Sequence, residues 1–392
     1  MFKNRNRGRK GKNTSMENMY ELIAPCHFGL ESVLKREILD LGYEIVTVED
    51  GRITFRGDVT AIARANIFIR TAERILLKMG SFRATDFDEL FEGTKVIPWE
   101  EFLPRDAKFW VTKATTNKSA LFSASAIQSI VKKAVVERLG AAYGLETLPE
   151  TGKRYQIRFS IMKDEVMLCL DASGEGLYKR GYRAVGVAAP LKETLAAAMV
   201  KLSHYNGRDP FCDPFCGSGT IAIEAALIAR NRAPGLNRSF AAQHWAMVDK
   251  RIWLDAADEA MDNEFHDKTY EIWGGDIDPH AIEIARHNAE LAEVDDTVRF
   301  EVDDATRFHW GGQYGRVVTN PPYGERLLEQ KEAEELYRAF GRAIDKLPET
   351  WRVYVLSSHT EFERCFGRIA DKKRKLYNGM LKCDLFMYGK RV

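Results

Sequence analysis

The sequence predicts an α/β protein in which a doubly wound, mainly parallel sheet follows a smaller α+β module. From about residue 190 onward, short apolar runs alternate with amphipathic segments, which is the pattern of parallel strands joined by crossover helices. Before that point the runs pair around turn residues such as Asp50-Gly51, which favours antiparallel hairpins. The 392 residues are 45% hydrophobic, so each part has enough apolar residues for a core of its own.

Composition excludes a membrane protein and gives no global signal for nucleic acid. The net charge is +1, and no apolar run is long enough to span a bilayer. Six basic residues lie within residues 1–14, which have no acidic residue, so we expect residues 1–16 to be a disordered basic tail. Such a tail either contacts phosphates or has no role. The six scattered cysteines predict reduced thiols in a cytoplasmic protein, and we expect no metal site.

The first half reads as short strands and helices in alternation. Leu30, Leu34 and Ile38 recur on one face of a helix that Gly42 ends, because glycine tolerates the left-handed cap. In chain order we predict the strand Tyr20–Ala24, the helix Leu30–Leu41, the strands Tyr43–Val48 and Arg52–Phe55, the helices Val59–Ile67 and Phe87–Phe91, the strand Lys108–Lys113, the helix Ser123–Leu139, and the strands Tyr155–Ile161 and Glu165–Asp171.

The second half alternates more regularly. A short strand runs into Asp213, and the chain is predicted to end in a hairpin over Lys375–Tyr388 that turns at Asn378-Gly379. Residues 232–270 read as an insertion between the first two strand–helix units. The other predicted elements are the helices Leu191–Leu202, Thr220–Ala229, Pro279–Glu293 and Glu332–Leu347, and the strands Glu271–Ile277, Val298–Val302, Arg316–Thr319 and Arg352–Ser357.

Basic residues concentrate between positions 105 and 138, where seven stand against two acidic ones. This is either a solvated helix face or an RNA-binding surface, and its position ahead of a second, larger domain favours RNA. The segment 171–190 reads as a linker that is rich in Gly, Ala and Arg, and it serves as an ordered connector or a nucleic-acid contact. The RNA-binding candidates are Lys113, Lys118, Lys132, Lys133, Arg180 and Arg183.

A Gly-rich turn follows the first strand of the second half. Gly217 and Gly219 lie between Asp213 and the helix that begins at Thr220, so the backbone can approach a ligand closely. A nicotinamide pyrophosphate would be repelled by Asp213, whereas the amino group of S-adenosylmethionine fits a carboxylate there. A tight turn without a ligand is the alternative for Gly-x-Gly alone.

Polar residues also follow the next three strands. Asp276 can accept ribose hydroxyl protons, while Asp278 is as well placed to cap the helix at Pro279. Asp304 is the preferred partner for an adenine amine, with a surface loop as the alternative. Asn320 begins a rigid segment, Asn320-Pro321-Pro322-Tyr323, that offers an amide, free carbonyls and one aromatic face, which suits a planar amine. Four consecutive strand ends therefore predict a ligand site at one edge of the sheet.

In this order the motifs resemble those of Rossmann-like class I S-adenosylmethionine-dependent methyltransferases that methylate amines. The strings Arg70–Arg74, Ser173–Leu177, Arg180–Arg183 and Asn320–Arg326 are similar to those of bacterial 23S rRNA guanine-N2-methyltransferases. The resemblance implies a ferredoxin-like subdomain over residues 17–65, a THUMP RNA-binding domain over 66–170 and a methyltransferase domain over 191–392. It also implies that the partner is RNA, 23S rRNA or a pre-ribosomal particle.

The resemblance assigns the cofactor and the amine to specific residues. Asn320, Pro321, Pro322 and Tyr323 are the implied catalytic segment, with hydrogen-bond acceptors on Asn320 and Pro321 and a stacking ring on Tyr323. The implied S-adenosylmethionine contacts are Asp213, Phe215, Gly217, Gly219, Thr220, Asp276, Ile277, Asp304, Ala305, Glu193, Thr194 and Asn320.

The tetrapeptide alone leaves several substrates open. Adenine-N6 methyltransferases of DNA or RNA and protein glutamine-N5 methyltransferases also act on planar amines, and a tRNA guanine is a further alternative. The basic first half favours RNA among these. From a different class, the chain is alternatively an RNA-binding factor with an inactive methyltransferase fold, although Asp213, Asp276 and Asn320 argue against that.

Overall fold

The computed structural model describes residues 18–112, 116–183, 191–324 and 327–389, without the side chains of 327 and 328. The predicted tail 1–16 and the candidate Lys113 therefore lie outside the described residues. Within these ranges two sheets form, one in each half of the chain, and the predicted fold class is confirmed.

The N-terminal sheet is mixed and has the strand order β2-β3-β1-β4-β8-β7-β5, with β6 also paired to β7. Helix α1 buries Leu34 and Ile38 against it, which is the apolar face expected from the sequence. The elements are β1 (Tyr20–Pro25), α1 (Glu31–Asp40), β2 (Glu44–Glu49), β3 (Arg52–Gly57), α2 (Val59–Phe68), β4 (Leu76–Arg83), α3 (Phe87–Lys95), β5 (Lys108–Val111), β6 (Thr116–Asn117), α4 (Ala124–Tyr143), β7 (Arg154–Met162) and β8 (Glu165–Asp171).

Strand β4 was not expected, although it joins the two halves of this sheet by pairing with both β1 and β8. Its ladder with β8 shifts register between Lys78 and Gly80, so apolar side chains do not alternate along it. A Cβ atom at Gly80 would lie 2.9 Å from the terminal methyl of Ile97, so a larger residue there would require that side chain to shift. Strands are recognised in a sequence by alternating apolar residues and by the scarcity of glycine, and this bulged strand with a central glycine has neither feature.

The second sheet has the order β11-β10-β9-β12-β13-β15-β14. Strands β9 to β13 are parallel and β15 is antiparallel to β13, so the predicted antiparallel end is confirmed. The order reverses between β9 and β12, which is where ligands bind in such sheets. The elements are α5 (Glu193–Leu202), β9 (Phe211–Asp213), α6 (Thr220–Ala229), α7 (Lys250–Asp262), β10 (Ile272–Asp276), α8 (Pro279–Leu291), β11 (Val298–Val302), β12 (Arg316–Thr319), α9 (Leu327–Ile344), β13 (Arg352–Ser357), α10 (Phe362–Phe366), β14 (Lys372–Asn378) and β15 (Leu381–Tyr388).

The insertion over residues 232–270 joins the two halves. Its helix α7 packs on α2, and Glu259 forms an ion pair of 2.7 Å with Arg64 of α2. Trp245 stacks on Tyr155 of β7 with ring centroids 5.7 Å apart. The insertion therefore bridges the two halves of the structure. Its partners, α2 and β7, are too far away in the sequence for these contacts to be recognised from residue spacing.

A polar seam, formed by Arg70, Glu73, Arg180, Lys192 and Glu224, also connects the halves. Arg180 lies 3.2 Å from Glu224 and donates to the carbonyls of Arg70 and Leu177. Only 3% of Arg180 is exposed. The prediction that Arg180 contacts RNA is therefore wrong, because its guanidinium is buried and already bound within the protein.

Among the described helices, none combines the length and the apolar character that crossing a bilayer would require.

Candidate active site

A cavity of about 770 Å³ opens at the carboxyl edge of the second sheet, where strands β9, β10 and β12 end. It brings together most of the residues predicted to bind the cofactor and the amine. Those that line it are Phe215, Gly217, Asp276, Ile277, Asp304, Ala305, Asn320, Pro321, Pro322 and Tyr323. Residues that follow all four strands therefore meet at one cavity, as the sequence predicted.

Asp213 ends β9 and is buried beneath this cavity's Gly-rich turn. Its Oδ1 accepts hydrogen bonds from the Thr319 hydroxyl, 2.6 Å away, and from the backbone N–H of Phe215, 3.3 Å away. Its Oδ2 is buried and has no hydrogen-bond donor among the described residues. Burial raises the pKa of Asp213 to about 7, against the lowering effect of the Thr319 bond. A buried carboxylate oxygen without a partner is what a cationic ligand group would satisfy.

Asp276 fixes the turn to the end of β10. One carboxylate oxygen accepts from the N–H of Gly217 at 2.9 Å and the other accepts from the N–H of Asp278 at 3.0 Å. Each oxygen retains a lone pair for a ligand hydroxyl. Asp278 caps helix α8 through the N–H of His280, as expected for the residue before Pro279. Next to Asp276, the side chain of Ile277 is 72% exposed and supplies apolar surface to the cavity.

Asp304 and Ala305 follow β11 on the same edge. The Oδ1 atom of Asp304 accepts from both the N–H and the hydroxyl of Thr306, and these bonds lower the pKa of Asp304. It therefore stays ionised and caps the short helical turn that begins at Ala305. Its second oxygen lies 3.7 Å from the guanidinium of Arg307, a partner on an exposed side chain.

The segment Asn320-Pro321-Pro322-Tyr323 is held from two sides. The Tyr323 hydroxyl donates to Oδ1 of Asn320, and the Tyr337 hydroxyl of α9 donates to the carbonyl of Pro322. Within the described ranges no donor reaches the carbonyl of Pro321. Oδ1 of Asn320 has two lone pairs, so one acceptor site remains on the amide beside the tyrosine bond. Burial raises the pKa of Tyr323, which keeps its hydroxyl a donor.

Besides Asp213, which is buried beneath the turn, four predicted cofactor contacts do not line the cavity. Thr194 hydrogen-bonds Glu73, and Glu193 forms an ion pair of 3.0 Å with Arg183. The Thr220 hydroxyl accepts from Arg183 at 2.9 Å. Gly219 has a φ of +83°, and a Cβ there would lie 2.8 Å from the ring of Phe300, so packing explains this glycine. The side chains of Glu193, Thr194 and Thr220 are therefore bonded within the protein.

Other residues that line the cavity were missed. Lys192 reaches it from the start of α5, and the hairpin β14–β15 contributes Asn378, Gly379 and Leu381. The sequence does predict a turn at Asn378-Gly379, but nothing local indicates that the turn folds over β12. For Lys192 the only signal is its position one residue before two predicted cofactor contacts.

The predicted RNA-binding lysines Lys118, Lys132 and Lys133 belong to the N-terminal half. Lys118 and Lys133 are exposed, and the Lys133 ammonium lies 5.4 Å from the ring of Phe91. Lys132 is half-buried and lies 3.4 Å from Glu150. Arg183 donates to the carbonyl of Leu191 and is largely enclosed. Lys118 and Lys133 are therefore exposed enough to contact phosphates, whereas the Arg183 guanidinium binds other residues of the protein.

Three family profiles match the chain. The RMKL-like methyltransferase domain matches residues 180–386, the RlmL ferredoxin-like domain matches residues 21–76, and the THUMP domain matches residues 84–171. The first covers more than half of the chain, so the protein belongs to the RMKL-like methyltransferase family.

Curated and solved relatives agree with this assignment along nearly the whole length. The chain is 46% identical over 375 residues to the "putative RNA methyltransferase YpsC" of Bacillus subtilis, covering 95% of this chain and 97% of that one. It is 41% identical to SMU.472, "a putative methyltransferase complexed with SAH", at a TM-score of 0.90, covering 96% and 100% of the two chains. A "predicted N6-adenine-specific DNA methylase" from Listeria monocytogenes is 47% identical at a TM-score of 0.90, covering 95% and 97%.

The class of protein follows from the site and these relatives together. A carboxylate oxygen without a partner, a second carboxylate at the next strand end and an apolar wall fit S-adenosylmethionine, which carries an ammonium, a ribose and an adenine. The protein is an S-adenosylmethionine-dependent RNA methyltransferase with a THUMP domain.

Proposed function

We propose that the enzyme methylates the exocyclic N2 amine of a guanine in RNA, with 23S rRNA as the substrate. The observation that carries this proposal is the pair of acceptors at the cavity, the Asn320 amide oxygen and the Pro321 carbonyl, in a chain whose first domain matches the RlmL ferredoxin-like family. The choice of guanine rests on the resemblance of the motif strings to bacterial 23S rRNA guanine-N2-methyltransferases.

The acceptors have a specific task in this reaction. The guanine N2 lone pair is delocalised into the ring, so the amine is a poor nucleophile. Oδ1 of Asn320 and the carbonyl of Pro321 would each accept one N2 hydrogen and draw the nitrogen towards tetrahedral geometry. Rigid proline backbone keeps the acceptors in place, and the bond from Tyr337 to the Pro322 carbonyl braces that backbone.

The carboxylates of the site would hold the methyl donor. Asp213 would bind its ammonium, Asp276 its ribose hydroxyls and Asp304 its adenine amine, with Ile277 against the adenine face. Bound S-adenosylmethionine supplies an electrophilic methyl group on a positively charged sulfur. Tyr323 would stack on the guanine once the base has left its helix, which fixes the plane of the ring.

The proposal is tested by nucleoside mass spectrometry of rRNA and tRNA from a strain that lacks the gene. We expect one N2-methylguanosine to disappear from 23S rRNA and to return when the purified enzyme is added to that RNA. Loss of N2-methylguanosine from tRNA alone would move the substrate to tRNA, and unchanged N2-methylguanosine in both fractions would contradict the proposal.

A second candidate is adenine-N6 methylation, which the same tetrapeptide supports. The Listeria monocytogenes relative favours it, since its name is that of a predicted N6-adenine-specific DNA methylase. The same mass spectrometry separates the two, because the missing nucleoside would then be N6-methyladenosine.

A further inference from the structure

The hairpin β14–β15 carries a group of exposed side chains next to the active cavity that the proposed chemistry does not use. Its tip lines the cavity through Asn378, Gly379 and Leu381, and between these Met380 is 99% exposed. An unbranched apolar side chain at the mouth of a site for a planar base is suited to contact with a nucleobase.

One face of the hairpin behind this tip combines an aromatic ring with two lysines. Lys382 lies opposite Tyr377 in the antiparallel register, and the Lys375 ammonium is 5.5 Å from the Tyr377 ring. Lys375 and Lys382 are exposed and have no ion pair within the described ranges. Asp384 is opposite Lys375 in the ladder, so the face carries two positive charges and one negative charge.

The ring of Phe28 completes this face from the N-terminal half. It meets Tyr377 edge-on, with ring centroids 6.2 Å apart and an interplanar angle of 80°, and 46% of Phe28 is exposed. The turn that carries it is pinned to β14, because the Arg374 guanidinium donates to the carbonyl of Gly29 at 3.2 Å. Gly29 has a φ of +89°, and a Cβ there would lie 2.6 Å from the Lys375 carbonyl. The two rings therefore hold a fixed arrangement before any ligand binds.

We propose that Phe28, Lys375, Tyr377, Met380 and Lys382 form a platform for single-stranded RNA beside the active cavity. An unpaired base next to the target would stack on Phe28 and Met380, while the two lysines contact the phosphates that flank it. Aromatic rings interleaved with lysines are the usual means of binding single strands without reading their sequence. A duplex presents no free base face, so the platform selects unpaired RNA.

This inference deepens the proposed function, since it names the form of RNA that the site accepts. It also means that both halves of the chain contribute residues that contact the RNA. The platform exists only while the ferredoxin-like subdomain is docked on the methyltransferase sheet, because Phe28 comes from one and Tyr377 from the other.

The test compares the full-length enzyme and its variants in binding a labelled oligouridylate and an RNA duplex of equal length. We expect the double variant Phe28→Ala/Tyr377→Ala to bind the single strand about tenfold more weakly and the duplex almost unchanged, because stacking on a ring accounts for about that much affinity per base. Lys375→Gln/Lys382→Gln should reduce the slope of log Kd against log salt concentration by about 1.4, about 0.7 for each phosphate contact of a single strand.

Matched controls lie elsewhere on the methyltransferase domain. Ile369, which is 82% exposed, is changed to Ala, and the exposed Lys346 near the end of α9 is changed to Gln; both should leave binding unchanged. Because Tyr377 is half-buried, Phe28→Ala alone is measured as well, with Phe28→Trp expected to restore single-strand affinity.

The readout does not depend on which base is methylated. If N2-methylguanosine persists in the deletion strain, the proposed function fails while oligouridylate binding still tests the platform. Equal losses on single strand and duplex, or losses no larger than in the Ile369 and Lys346 controls, would overturn the platform.

Discussion

The polar seam contains a half-buried carboxylate, Glu73, and the active site contains a buried one, Asp213, and their pKa values move in opposite directions. Burial raises the pKa of both, but Glu73 of the seam also lies 3.2 Å from His27 Nε2 and accepts hydrogen bonds from Lys192 and Thr194, and these contacts lower its pKa to about 2. Asp213 of the cavity has a hydroxyl and one backbone N–H as donors, and its pKa rises to about 7. Both oxygens of Glu73 therefore have partners within the protein, whereas Oδ2 of Asp213 has none among the described residues and can take a cationic ligand group. Elsewhere in the seam, Nη1 of Arg70 and Oε2 of Glu224 are also buried without a hydrogen-bond partner among the described residues.

The largest expected effect is that of Asn320→Ala, which should lower turnover without lowering stability. Asn320→Ala removes an acceptor that is needed only as the amine reacts, so kcat should fall about 10²–10³-fold. The free energy of unfolding and the affinity for S-adenosylhomocysteine should change little, because the Asn320 side chain is half-buried and its hydrogen-bond partner among the described residues is Tyr323. Single-turnover methyl transfer and calorimetry measure the two quantities, and wild-type turnover in this variant would remove Asn320 from the mechanism.

Glu73→Gln, in contrast, should lower the free energy of unfolding more than it lowers kcat. The pKa of Glu73 is lowered from 4.5 to about 2, so its ionised form stabilises the fold above pH 4.5, and this contribution is lost as the pH falls towards 2. Near neutral pH we expect a loss of about 3 kcal/mol, measured by urea unfolding.

The exposed pair Glu175–Lys179 provides the matched control for this change. Glu175→Gln also removes a carboxylate from a lysine, 2.9 Å away, but 70% of the Glu175 side chain is exposed, so the loss should stay below about 0.5 kcal/mol. Equal losses at the two positions would mean that the seam is no stronger than a surface ion pair.

The smallest expected effect concerns Asp213 and the pH. A carboxylate with a pKa of about 7 is largely neutral below that pH, so affinity for S-adenosylhomocysteine should rise as the pH increases through 7. Asp213→Asn should bind the ligand about tenfold more weakly at pH 8 and lose this pH dependence.

The same residue links pH to stability with the opposite sign from Glu73. Because its folded pKa is raised, Asp213 costs the ligand-free protein stability as the pH rises from about 4 to 7, and Asp213→Asn should remove that decline. An affinity for S-adenosylhomocysteine that is flat between pH 6 and 8 in the unchanged protein would contradict the assignment of Asp213.

Local sequence was sufficient for most of the second sheet. The strands Val298–Val302, Arg316–Thr319 and Arg352–Ser357 and the helix Thr220–Ala229 have the predicted bounds, because apolar runs and turn residues lie within each element. The polar residues after those strands could be recognised for the same reason, since parallel strands bring their carboxyl ends to one edge.

Sequence reasoning failed where contacts join distant segments. Strand β4 has a bulge that hides its alternation, and Arg180 reads as an exposed basic residue although Glu224 and the carbonyl of Arg70 bury it. No local pattern records a partner 44 or 110 residues away. The same limit explains why Lys192 and the hairpin tip were missed at the cavity.

The sequence by itself determined most of the strands and helices of the second half, the family and the four strand ends that define a methyltransferase site. Only the tertiary structure decided which of those side chains remain available to a ligand, because burial and nonlocal partners set that. It bound Arg180, Glu193 and Thr194 within the protein and left Oδ2 of Asp213 without a donor among the described residues. It also placed Phe28 beside Tyr377 on the hairpin whose tip lines the cavity.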